Sequence, residues 1–128
     1  MTRLLSDMRV LVIEDEFLIA MDVEQLCLDN GAREVTIARS SADVELDKTI
    51  SFDVAVLDIF VDGATNLDFA ENLKKRNVPF IFASGYSDVA EIKQTFPDVL
   101  IISKPYAGSD LVQALATVTG RSKESSSA

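Results

Sequence analysis

Tryptophan is absent from this 128-residue chain, and cysteine (one), proline (three) and glycine (five) are scarce. So little glycine and proline argues against collagen-like repetition, and an apolar content of 48% argues against disorder. Cys27 has no partner within the chain, which excludes an intrachain disulfide scaffold and fits a reduced, cytosol-like compartment with the thiol buried in an apolar stretch. At this length about two thirds of the unfolded chain's surface is buried on folding, so the core needs no disulfide or structural metal. Positive charge is also short: 12 Lys and Arg stand against 21 Asp and Glu, a net charge of −9. A surface this negative repels phosphate backbones and anionic headgroups, which disfavours nucleic acid and membrane partners. Long apolar runs are missing as well. The longest, Phe17 to Met21, is too short for a signal peptide or a membrane span.

What the chain does contain is a rhythm of short runs rich in Val, Ile and Phe: Val10 to Ile13, Val35 to Ala38, Val54 to Leu57, Phe80 to Ala83 and Val99 to Ile102. Their lack of alternation implies strands buried on both faces, as in a parallel sheet, and the intervals between them are long enough for crossover helices. Ile19, Val23 and Leu26 give the first helix an apolar stripe, and Leu111, Leu115 and Val118 repeat it in the last. Ser40-x-x-Asp43, Thr65-x-x-Asp68 and Asp88-x-x-Glu91 resemble capping boxes that start the remaining helices. The order is therefore β-α repeated five times. Right-handed crossovers then build a doubly wound α/β sheet of order 2-1-3-4-5. Gly120 ends the last helix, so residues 1–120 form one domain, and the Ser-rich 121–128 form a frayed tail with no room for an output domain.

In such a sheet ligands sit beyond the carboxyl ends of the strands, at the switch in strand order. Those ends are acidic here. Strand 1 runs into Glu14-Asp15-Glu16 and strand 3 into Asp58, so adjacent strands aim carboxylates at one small volume. Taken singly, acidic residues after strands merely cap helices and complement their dipoles. Together they repel unless a pKa rises or a cation is recruited, and an all-oxygen set suits Mg²⁺. Strand 5 adds Lys104 in Ser103-Lys104-Pro105, and Ser84 follows strand 4. A carboxylate nucleophile, a cation site, a lysine and a hydroxyl are what forming and holding an acyl phosphate requires.

With VLVIEDE, AVLDIF, IFASGY and IISKPY at four of the strand ends, the chain resembles, from about Met8 to Thr119, the receiver domain of bacterial two-component response regulators. That resemblance implies a flavodoxin-like (βα)5 fold. It implies a cytoplasmic, stand-alone receiver that takes a phosphoryl group from a phosphohistidine on a histidine kinase or phosphotransfer protein and signals to a downstream protein target. By position it makes Asp58 the phosphoacceptor and Glu14 and Asp15 the acidic pair of a Mg²⁺ (or Mn²⁺) site, with Asp58 and the backbone carbonyl of Phe60 as further ligands. Ser84 takes the hydroxyl position, Lys104 the phosphate-pairing lysine, and Lys104-Pro105 the family's cis peptide.

There are departures. Pro79 to Tyr86 is similar to the FATGUY subgroup of receivers, with Ser84 in place of threonine. Ile101 stands where typical receivers carry a switching aromatic, so the switch is expected in Ser84, Gly85 and Tyr86, with Pro105 beside Lys104. The loop after Asp58 lacks the common Pro-x-Met-Asp-Gly pattern, and the intervals from Asp58 to Ser84 and on to Lys104 are short, which abbreviates the helices within them. Three other classes share parts of this pattern. A Mg-dependent aspartyl-phosphate phosphatase normally has a second Asp two residues after the nucleophile, and that position is Phe60. A flavodoxin-like electron carrier would need a phosphate-cradling loop after strand 1 and an aromatic such as Trp to stack on flavin. A pseudo-receiver acting only as a protein-binding module would show a damaged site. Finally, Phe17, Met21 and Leu28 face partly away from the first helix's core stripe, so this helix is expected to present apolar surface to a partner.

Overall fold

The structure, a computed structural model, describes residues 4–45, 51–58, 60–61, 64–65, 67–84, 92–94, 96–103 and 108–120. In chain order its elements are β1 (Arg9–Ile13), α1 (Phe17–Asp29), β2 (Glu34–Ala38), a 3₁₀ turn (Ser41–Asp43), β3 (Val54–Asp58), β4 (Phe60–Val61), β5 (Ala64–Thr65), α2 (Leu67–Lys75), β6 (Phe80–Ser84), β7 (Leu100–Ser103) and α3 (Gly108–Val118). Five strands pair in parallel in the order β2-β1-β3-β6-β7, which is the expected 2-1-3-4-5.

Because successive side chains of a strand point to opposite faces, each apolar run serves two cores at once. Val10, Val12, Val54, Val56 and Ile81 face one side, where α1 supplies Val23 and Cys27 and α3 supplies Leu111 and Leu115. Leu11, Ile13, Leu57 and Phe82 face the other, against Phe69 and Leu73 of α2 and against Ile92 and Phe96. There Phe80, Phe82 and Phe96 meet edge-on, with centroids 5.6 to 5.8 Å apart. α1 and α3 approach so closely that a methyl group on Gly108 would stand 2.7 Å from Cδ2 of Leu26.

The helices depart from the sequence pattern in instructive ways. The buried centre of α1 is Ala20, Val23 and Cys27, with Ile19 and Leu26 half-buried beside it, so the stripe is rotated slightly toward the smaller side chains. The stripe of α3 is as expected: Leu111 and Leu115 are fully buried and Val118 half-buried. Gly120 ends it in the left-handed region (φ +79°), its amide donating to the Thr117 carbonyl.

Three expectations change. β2 is an edge strand whose Glu34 and Thr36 are exposed, so burial on both faces holds for β1 and β3 but not there. The helix expected after Ser40 is, among the described residues, one 3₁₀ turn. Ser40 still acts as a cap, its Oγ accepting from the Ala42 amide at 3.2 Å. Thr65 lies in β5, pairing with Phe60 in a short antiparallel ladder, and α2 begins only at Leu67. Backbone pairing has taken the residue that its hydroxyl offered as a cap. Asp88 to Glu91 and the tail 121–128 lie outside the described residues. Cys27 is fully buried, and burial pushes its thiol from 9.0 up to about 12.

Candidate metal centre

The sheet register builds the site. Ile13 pairs with Leu57 across β1 and β3, so Glu14 and Asp58 follow at the same level. The Glu14 amide donates to the Ala38 carbonyl at 3.0 Å, carrying the β1–β2 ladder one step further and holding Glu14 at the carboxyl edge. Oxygens of Glu14, Asp15 and Asp58 all lie within 4.8 Å of one another. Glu14 (4% exposed) and Asp58 (8%) are the two buried carboxylates among the described residues, and Asp15 is half-buried. The Glu16 amide donates to Oε2 of Glu14 at 3.2 Å, so the tight turn before α1 orients that carboxylate.

Burying carboxylates side by side is unfavourable unless something positive offsets them. A cluster of three carboxylates with no nitrogen or sulfur donor fits a hard divalent cation of the Mg²⁺ type, which takes oxygen ligands and keeps several waters.

The same edge receives the neighbouring expected residues by register. Asp58 pairs with Ala83, and Ser84 follows, itself paired with Ser103. Phe60 opens β4 two residues past Asp58. Ile101 pairs with Phe82 and is half-buried against the aromatic core, a packing position rather than a polar one. Gly85, Tyr86, Lys104 and Pro105 lie outside the described residues. A separate groove of about 430 Å³, lined by Lys74, Phe80, Phe96 and Val99 among others, sits at the amino ends of β6 and β7, away from the carboxylates.

The apolar surface expected on α1 is present: Phe17 is 71% exposed, Met21 45% and Leu28 41%. Leu18, 75% exposed, belongs with them and was not anticipated. Its position outside the i, i+4, i+7 stripe was the available signal. Among the described residues no helix is long and apolar enough to cross a membrane.

No family model matches the chain. It is 28% identical over 120 residues to the cell cycle transcriptional regulator CtrA of Caulobacter vibrioides, covering 91% of this chain and 52% of that protein. It is also 28% identical over 120 residues to the transcriptional regulatory protein PdtaR of Mycobacterium tuberculosis, covering 91% and 58%. The chain thus spans about half the length of the curated relatives it matches. Among solved structures it is similar to a response regulator receiver domain from Clostridium thermocellum, with TM-score 0.77, 24% identity, and coverage of 89% of this chain and 95% of that one. The response regulator PhyR from Brucella abortus aligns with TM-score 0.68 and 27% identity over 98% of this chain and 53% of that one. The fold is that of response-regulator receivers, and these relatives support a receiver domain.

Proposed function

We propose that the chain is a phosphoreceiver. A carboxylate oxygen of Asp58 attacks the phosphorus of a phosphohistidine on a histidine kinase or phosphotransfer protein, and the P–N bond breaks with its electron pair passing to the imidazole. The observation that carries this reading is the convergence of Glu14, Asp15 and Asp58 within 4.8 Å at the carboxyl edge of two adjacent strands. The motif resemblance assigns Asp58 as the nucleophile; it ends the central strand β3, flanked by β1 on one side and β6 on the other. Glu14 and Asp15 are displaced toward β1 and do not share that central position.

Glu14, Asp15 and Asp58, with the Phe60 carbonyl, would hold Mg²⁺ or Mn²⁺. When bound, the cation supplies positive charge that offsets the phosphoryl oxygens. Lys104 and Ser84 are assigned to the same oxygens by the motif resemblance, one as an ammonium and the other as a hydroxyl donor. The switch is assigned to Ser84, Gly85 and Tyr86, in line with the FATGUY-like stretch from Pro79, and its output is a changed protein-binding surface in the cytoplasm. An intact carboxylate trio argues against a pseudo-receiver.

The test compares wild type with Asp58→Asn after incubation with acetyl phosphate and Mg²⁺, read by intact mass. A phosphoryl adduct on wild type alone is the expected result; an equal adduct on the variant overturns the assignment of the nucleophile.

A further inference from the structure

The groove of about 430 Å³ at the amino ends of β6 and β7 lies at the edge of the sheet opposite the carboxylates. Its lining includes Val78, Phe96 and Val99, which are buried, and Phe80 and Val118, which are half-buried. Backbone bonds fix its walls. The chain leaves α2 through Asn77 in the left-handed region (φ +62°), the Val78 amide donating to the Leu73 carbonyl at 2.9 Å, and the Val99 amide donates to the Phe96 carbonyl at 3.2 Å. The rings of Phe80 and Phe96 meet edge-on with centroids 5.8 Å apart. Two ammonium groups attend this apolar lining. Lys74 Nζ stands 5.9 Å from the centroid of the Phe96 ring, over its face, and forms no ion pair among the described residues. Lys93 Nζ donates to the carbonyl of Val99 at 2.7 Å. Asp98 is the one carboxylate of the lining among the described residues. Two cations against one anion reverse the sign of a chain whose net charge is −9.

We propose that this groove binds a small aromatic carboxylate, with its ring against Phe80 and Phe96 and its carboxylate at Lys74. The size follows from the volume, which falls within the range of about 300 to 1,000 Å³ found for small-molecule pockets. The ring follows from the lining: a flat apolar body leaves water and extends the edge-on packing that Phe80 and Phe96 have begun. The charge follows from the two lysines. A carboxylate gives the Lys74 ammonium an anionic partner while its stem stays on the Phe96 ring, whereas a cationic ligand meets like charge at Lys74 and Lys93. The groove stands apart from Glu14, Asp15 and Asp58, so nothing in this proposal rests on phosphoryl chemistry.

The test titrates naphthalene-2-carboxylate into the isotopically labelled full chain and reads amide shifts. Changes should concentrate at Val78, Phe80, Phe96 and Val99 and leave Phe17, Leu18 and Met21, which are also apolar and exposed, unmoved. The uncharged naphthalene-2-carboxamide should bind about threefold or more weakly, and that gap should close as salt rises. Lys74→Met keeps the apolar stem and should abolish the preference for the carboxylate. Lys75→Met removes the next lysine of α2, which is exposed and outside the lining, and should keep the preference within about twofold. Val118→Trp fills the groove from its wall and should abolish binding of both probes. Melting curves establish that each variant is folded; if Val118→Trp is not, the exposed Lys74 and Lys75 positions decide the matter by themselves. Equal binding of the two probes, shifts centred on α1, a preference that survives Lys74→Met, or binding that survives a folded Val118→Trp overturns the proposal. So does a dimer of the free chain that Val118→Trp dissolves, since a second copy would then be the occupant.

Discussion

Ile13 and Leu57 face each other across the β1–β3 ladder, and because the strands are parallel and in step, the next residue of each, Glu14 and Asp58, reaches the sheet's edge at the same height. Asp15 completes a cluster within 4.8 Å. A ligand that binds only the folded state adds about 2.7 kcal/mol at a hundredfold excess over its dissociation constant. Thermal melts should therefore rise with millimolar Mg²⁺ in wild type and rise much less in Asp15→Ala. An unshifted wild type, or an undiminished shift in the variant, removes the metal assignment.

Lys104 should separate from this behaviour, because an ammonium attracts phosphoryl oxygens and repels a cation. Lys104→Ala is expected to keep the Mg²⁺ shift yet accept phosphoryl from acetyl phosphate poorly, or accept it without changing conformation. Normal phosphorylation with a normal conformational response takes Lys104 out of the mechanism.

Ile101 is half-buried against the cluster that contains Phe82 and Phe96, and it has neither ring nor hydroxyl to exchange between rotamers. A phosphoryl group adds roughly −1.5 to −2 charge and strong acceptors, to which the hydroxyl of Ser84 can respond. On adding Mg²⁺ and beryllofluoride, amide shift changes should be largest from Ser84 to Ile92. Changes confined to Ile101 and α3 would place the switch elsewhere.

Cys27 makes stability fall at high pH. Its thiol is raised from 9.0 to about 12 by burial, so the folded chain keeps a proton that the unfolded chain releases. The contribution is complete below pH 9 and is lost as pH rises through about 12. Urea midpoints between pH 9 and 11 should decline more steeply for wild type than for Cys27→Ala, and native protein at pH 8 should resist maleimide. Rapid labelling of the folded chain would contradict the burial.

The strand runs, their order and the acidic ends were legible in the sequence because a strand buried on both faces must be apolar along its buried length, as β1 is from Val10 to Ile13 and β3 from Val54 to Leu57. The carboxylate trio was legible for a related reason: the doubly wound order makes strands 1 and 3 neighbours, and Glu14, Asp15 and Asp58 are the residues that end them. The outer elements were harder to read. Glu34 and Thr36 belong to an edge strand, where one face meets solvent; the alternation Glu34-Val35-Thr36-Ile37 carries that signal, which an apolar run counted from Val35 hides. Ser40 and Thr65 both looked like helix caps; one caps a single 3₁₀ turn and the other pairs through its backbone in β5, since Ser and Thr suit turns and strands as well as helix starts.

By itself, then, the sequence determined the sheet, its order and the identity of the acidic residues at its edge, because parallel pairing and burial leave apolar runs few other arrangements. Only the tertiary structure decided the distances. Register between β1 and β3 brought the three carboxylates within 4.8 Å and buried two of them, and packing of α1 on its Ala20, Val23, Cys27 side left Phe17 and Leu18 in water. Both outcomes depend on which face of each element meets its neighbour, and that is settled by residues far apart in the chain fitting together.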